Sequence, residues 1–279
     1  MISDGSGVMA NERQGYWSLS CGLQAVDGLT VSKSALLDGD DYVAGTKSAT
    51  EVYNRSLDRY SSHVQEGREA EADVVAAAML VALEDDGFSL SPIMLDNIHA
   101  RIFEPATVVG FDRRWVGRHR TVNITKSEPV LGGRSVTYAD WRMISDQLRY
   151  DFSEERRHCY GSSLNEEFVR HFSRFIANIW QTHAFREGNT RTVALFSQKY
   201  LRYLGVRCDN MLFMDNSLFY RDALVRANFS NLELGIAEDL SFLNAFYENL
   251  VLDKNHNLSS YDLNLHGIRV DEDLPYRTY

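Results

Sequence analysis

The chain has 279 residues, 44% of them hydrophobic, with 29 basic against 39 acidic side chains and a net charge of −10. That size suits one large domain or a domain with an appendage, with enough apolar material for a substantial core. The acidic balance argues against a nucleic-acid surface and leaves no basic patch for an anionic membrane.

Three widely spaced cysteines, Cys21, Cys159 and Cys208, make neither a disulfide framework nor a zinc ribbon and point to a reducing cytoplasm. Met1 to Arg13 lacks a signal peptide's apolar stretch, and the longest apolar run, Val74 to Leu83, is too short to span a bilayer. Composition is silent on delivery into another cell by a specialised secretion system. Oligomeric state is open as well, a homo-oligomer included.

In chain order, Met1 to Gly15 is polar; Gly5 to Ala10 imitates a dinucleotide fingerprint, but no strand precedes it. Trp17 to Val26 reads as a helix that stops at Asp27-Gly28. Ser32 can cap a helix through Tyr42, and Ala49 to Tyr60 has helical spacing at Val52, Tyr53, Leu57 and Tyr60. We read residues 1–60 as a helical appendage, 61–252 as the main domain and 253–279 as a polar tail. Glu69 to Glu84 is a helix apolar on more than one side, hence buried. Ser91-Pro92 opens another, with Met94, Ile98 and Ile102 as its stripe and His99 as a packing residue. β-Branched runs at Thr121–Ile124 and Ser135–Tyr138 flank Gly132-Gly133 and predict a hairpin. Capping boxes at Thr137–Asp140 and Ser163–Glu166 open two further helices. The second carries Phe168, Phe172, Phe175, Ile176, Ile179 and Trp180 on its inner face.

That helix runs into His183-Ala184-Phe185-Arg186-Glu187-Gly188-Asn189-Thr190-Arg191, after which Thr190 to Leu204 is again helical. Gly188 permits a sharp turn. The first N–H groups of the next helix lack partners and form an anion site suited to phosphate. Arg191 adds a guanidinium that can fork two phosphate oxygens. Glu187 is a hard oxygen ligand suited to Mg²⁺ on phosphates. His183 can take a proton from a hydroxyl near neutrality. Separately, each has a bland reading: a solvated histidine, a turn, a surface ion pair. Together, the pattern H-x-F-x-[DE]-G-N-x-R arises by chance in such a chain on the order of once in 10⁵.

This stretch resembles the signature of the Fic (filamentation induced by cAMP) family. The resemblance implies a mainly α, Fic-type helical bundle with one β-hairpin flap over the active site. It implies transfer of AMP from ATP, with Mg²⁺, to a Ser, Thr or Tyr hydroxyl of a target protein, self-modification included. His183 would be the general base and Glu187 the metal ligand. Arg186, Gly188, Asn189, Thr190 and Arg191 would bind the nucleotide, with Phe185 packed beneath. Phe219 to Asn228 is similar to a later family helix beside the adenine, which makes Tyr220 and Asn228 candidates there. The flap, tipped by Thr125 to Leu131 with Thr125, Lys126 and Ser127 as docking residues, would pair with an extended stretch of the target.

Two departures stand out. Thr190 replaces the family's usual Gly or Lys, and Ala194 replaces a second Arg that positions the γ-phosphate and pairs with an inhibitory glutamate. Leu19–Leu29, followed by Asp41-Tyr42-Val43-Ala44-Gly45, is similar to the small antitoxin proteins that inhibit Fic toxins. Asp27 then falls at the inhibitory position, while Ser62 to Gly67 fits the inhibitory pattern literally through Glu66; we prefer Asp27. Other readings are AMP removal or transfer of another phosphate-containing group on the same scaffold, and a catalytically feeble peptide-binding module.

Overall fold

A computed structural model describes residues 10–61, 67–161, 163–207 and 211–265. The described chain is mainly helical, and its only β pairings are two isolated bridges, His119 with Phe185 and Asn231 with Ile236. No described helix is long and apolar enough to cross a membrane.

Helix α1 (Ala10–Gly22) continues into a 3₁₀ turn, Leu23–Asp27, which Gly28 ends at φ 68°. Helices α2 (Lys33–Val43) and α3 (Ala49–Ser61) follow, then α4 (Arg68–Glu84) and α5 (Pro92–Phe103). Ser32 and Ser91 cap α2 and α5 as their positions predict. Alanine-rich α4 is buried around most of its circumference and packs against α1, α3, α5 and α8. α1 also lies on α9, so close that a Cβ on Gly22 would sit 2.4 Å from the Met214 Cα. The N-terminal helices therefore share one hydrophobic core with the rest of the described chain.

The second half holds α6 (Ile144–Arg157), α7 (Glu166–Thr182), α8 (Asn189–Tyr203), α9 (Met211–Ala227), α10 (Ser241–Leu252) and α11 (Ser260–Leu263). α7 buries its whole aromatic stripe: Phe172 packs on Tyr200 and Tyr247, and Phe175 on Phe152 and Phe196. Its cap is Asn165, whose Oδ1 accepts the Phe168 N–H at 2.9 Å, rather than Ser163. Asp140 accepts the Arg142 N–H in a turn, and α6 starts only at Ile144. Helix α9 kinks at Asn216, whose backbone leaves the helical region. The polar tail is not inert either. Leu263 is buried, and the Leu265 N–H donates to Val130 O at 3.1 Å.

The expected β-hairpin does not form: no ladder runs between residues 121 and 140. Pro129 brings no N–H, and the Lys126 N–H goes to Ser135 Oγ at 3.1 Å instead of a facing carbonyl. The chain turns through a 3₁₀ segment, Pro129–Leu131, closed by Gly132 at φ 63°. Val130 and Leu131, read as part of an exposed tip, are buried in the core. Apolar burial overrides strand alternation here.

Candidate active site

The loop between α7 and α8 is built from inside. Phe185 is buried and stacks on His99 with ring centres 3.9 Å apart. Asn189 clamps the Phe185 backbone from both sides: Oδ1 accepts its N–H at 2.9 Å and Nδ2 donates to its carbonyl at 2.8 Å. Gly188 adopts φ 75°, and a Cβ there would sit 2.2 Å from the Phe103 ring, so only glycine fits. His99 closes the loop from α5. Its Nδ1 accepts the Gly117 N–H at 2.9 Å, so Nε2 carries the proton and donates to Glu187 O at 3.1 Å.

Burial pushes the His99 pKa down to about 3. The unfolded imidazole binds a proton near pH 6.5 and the folded one does not, so this contribution to stability is complete above that pH and declines as pH falls toward 3. The stability gap between wild type and His99→Phe should therefore narrow by about 1.4 kcal/mol per pH unit below 6.5. Urea melts at pH 7 and pH 5 check this; a constant gap would contradict it.

His183 ends α7 in the left-handed region at φ 47°. Arg120 holds that end: Nε donates to His183 O at 2.8 Å, and its backbone N–H donates to Ala184 O at 2.8 Å. The His183 imidazole is only 1% exposed. Nδ1 faces Trp180 O at 3.3 Å, and Nε2 is buried with no hydrogen-bond partner. Burial, then the Lys126 ammonium, holds the ring well below its ordinary pKa, so it is neutral with a free Nε2 lone pair. Tyr138 covers it at 4.1 Å between ring centres. The Tyr138 hydroxyl donates to buried Glu128 at 3.4 Å, Glu128 pairs with Arg221 at 2.7 Å, and Arg221 donates to Val26 O at 3.3 Å. The cover thus reaches the 3₁₀ turn that carries Asp27.

Arg191 is equally engaged. It is 1% exposed and lies over the Phe103 ring at 4.8 Å. Nη2 donates to Glu71 at 2.8 Å and Nη1 to Gln24 Oε1 at 3.1 Å. Nε approaches Asp27 Oδ2 at 2.8 Å, but out of line with the N–H, so both atoms keep their hydrogen-bonding capacity unfilled. Arg68 grips the Asp27 carbonyl at 2.5 Å. Asp27 and Arg191 are thus brought together; Glu66 lies outside the described residues.

The remaining candidates divide. Glu187 is partly exposed, 3.9 Å from Lys126, and exposed Thr125 and Ser127 flank that lysine. No group of three or more His, Cys, Asp or Glu side chains among the described residues could hold a metal. A lone carboxylate completed by phosphate oxygens is a usual way to hold Mg²⁺, so Glu187 fits that ion only with nucleotide. Thr190 accepts the Trp180 indole N–H at 3.0 Å, and Gly188 brings no side-chain cap to α8. Arg186 is drawn aside, its guanidinium 6.0 Å from the Trp115 ring centre. Tyr220 and Asn228 are core residues. Tyr220 meets Tyr247, and Asn228 ties Ala177 O and Leu224 O, so both spend their polar atoms on packing. Ala194 is fully buried. Sequence reasoning missed Gln24, Glu71, Arg120 and the Glu128–Arg221 pair, all remote in sequence from the loop.

A histidine with a free lone pair, a glycine turn, a helix start without a side-chain cap and a buried arginine meet at this loop. Residues 89–201 match the model of the Fic/DOC family. No curated protein matches it. Three solved structures are similar. The N-terminal Fic domain of Bep8 from Bartonella sp. 1-1C is 15% identical, with TM-score 0.47, over 71% of this chain and 85% of that one. BepC from Bartonella tribocorum, with bound AMPPNP, is 13% identical, with TM-score 0.45, over 72% and 85%. The Fic domain of a Bep effector from Bartonella sp. AR 15-3 is 14% identical, with TM-score 0.46, over 72% and 82%.

Proposed function

We propose that the chain transfers AMP from Mg-ATP to a hydroxyl of a target protein, and that Asp27 and Glu71 hold it shut. The observation that carries this is the buried His183 Nε2 with no partner, beside an assembled phosphate-type loop. Buried polar atoms are ordinarily satisfied, and an orphan in a motif loop marks a functional group. In the reaction the target oxygen bonds to the α-phosphorus, the bond to the β-phosphate bridging oxygen breaks, and pyrophosphate leaves. The hydroxyl proton passes to His183 Nε2. Arg191 and the N–H groups of α8 hold phosphate oxygens. Glu187 would hold Mg²⁺ brought with the nucleotide, which would neutralise charge on the phosphates. The target passes the exposed Thr125–Ser127 loop above Glu187.

Opening requires Tyr138 to leave His183 and the two carboxylates to yield Arg191 to phosphate. Incubation with α-labelled and γ-labelled ATP tests the reaction class: label from the α position alone enters protein in AMP transfer, whereas γ label entering protein means phosphoryl transfer. Ala194, which removes a second cation, favours a second reading, a nucleotide-free interaction module.

A further inference from the structure

We infer that Arg120 is a positioning residue for this site, joining the base of the 121–140 loop to the residue that carries the imidazole. The inference deepens the transferase reading and rests on it for its kinetic part only.

The geometry is unusual for a buried cation. Arg120 is 4% exposed, and its hydrogen-bond partners are all carbonyl oxygens. Two side-chain bonds close on the end of α7: Nε on His183 O at 2.8 Å and Nη2 on Thr182 O at 3.3 Å. Two close on the two ends of the loop: Nη1 on Val122 O at 2.7 Å and Nη2 on Ala139 O at 2.5 Å. Carbonyls at a helix C-terminus have no intrahelical donors, and a cation there is favoured by the helix dipole. The planar fork reaches four carbonyls in fixed directions, which a lysine ammonium cannot do. It also holds His183 in a left-handed conformation, at φ 47°, that is strained for a non-glycine residue. A turn of His183 out of that conformation would swing Nδ1 from Trp180 O and Nε2 from its place.

Because Tyr138 is one residue from Ala139, the same guanidinium fixes the stem of the ring that covers His183. Loop and base therefore share one anchor. The charged and titratable groups around the imidazole are Arg120, Lys126, Arg221 and Tyr138.

The test compares Arg120→Gln and Arg120→Lys with wild type in the full chain, first by ¹H–¹⁵N NMR of His183 and then by kinetics in the Asp27→Ala/Glu71→Ala background. Arg120→Gln should erase the Nδ1–H signature and raise the pH at which His183 protonates, because a cation is lost. Arg120→Lys should keep that pH low yet still disturb the tautomer. In both, kcat should fall about 100-fold, as misplaced reacting groups do, with little change in KM for ATP. An unaltered His183 spectrum in folded Arg120→Gln overturns the inference. Altered spectra with no transfer by the parent variant leave the positioning role standing and remove the transferase reading.

Discussion

Replacing Asp27 and Glu71 together with alanine raises AMP transfer by about 10- to 100-fold. In the proposed reaction Arg191, at the start of α8, forks phosphate oxygens, and these two carboxylates and Gln24 take up its guanidinium. A nucleotide must displace them, and couplings of this kind are typically 1–3 kcal/mol, or 5- to 150-fold. Each single substitution gives much less, since the remaining carboxylate still engages the fork; neighbours sharing one partner are not additive. The variant has a second signature. Stripped of both carboxylates, a guanidinium only 1% exposed loses its charge partners, which costs about 3–5 kcal/mol. Its melting temperature should drop without nucleotide and recover with Mg-ATP, because a ligand that binds only the folded state stabilises it. Label transfer from α-labelled ATP and thermal melts check both. Unchanged transfer from a folded double variant would remove the brake.

His183→Ala in that released background cuts transfer by about 10²- to 10⁴-fold, the usual contribution of a positioned base. Mg-ATP binding should survive, because the proposed cradle is made by Arg191 and the N–H groups at the start of α8, not by His183. The pairing matters: a loss of transfer together with binding reports a collapsed loop, whereas a loss of transfer alone reports the proton acceptor. Because burial and neighbouring cations keep the imidazole neutral, the pH profile of the parent variant should show no acid limb near 6.5 from this residue while the site stays covered.

Much of this architecture is written in local pattern. The α7 stripe, the stop at Gly28 and the caps at Ser32 and Ser91 follow from periodicity and side-chain capping, which are short-range effects. The loop residues are equally legible, because Gly188 and Asn189 act on neighbours within four residues. The hairpin was misread because alternation in 121–138 says nothing of Val130 and Leu131 being claimed by the core. That Tyr220 and Asn228 spend their polar atoms in the core was hidden for a related reason: a helix pattern does not tell which polar atoms its neighbours will satisfy. Glu71 and Arg120 were invisible, since 120 residues separate Glu71 from Arg191, and 63 separate Arg120 from His183. Tyr138 and the Glu128–Arg221 pair, which cover His183, are likewise brought in by folding from outside the loop.

Calorimetric titration of Mg-ATP into the Asp27→Ala/Glu71→Ala chain, with wild type and Arg191→Ala alongside, probes the cradle itself. We predict one nucleotide bound per chain by the double variant, weaker binding by wild type and none by Arg191→Ala. Absence of heat in all three, with each protein folded, would contradict a nucleotide site at this loop.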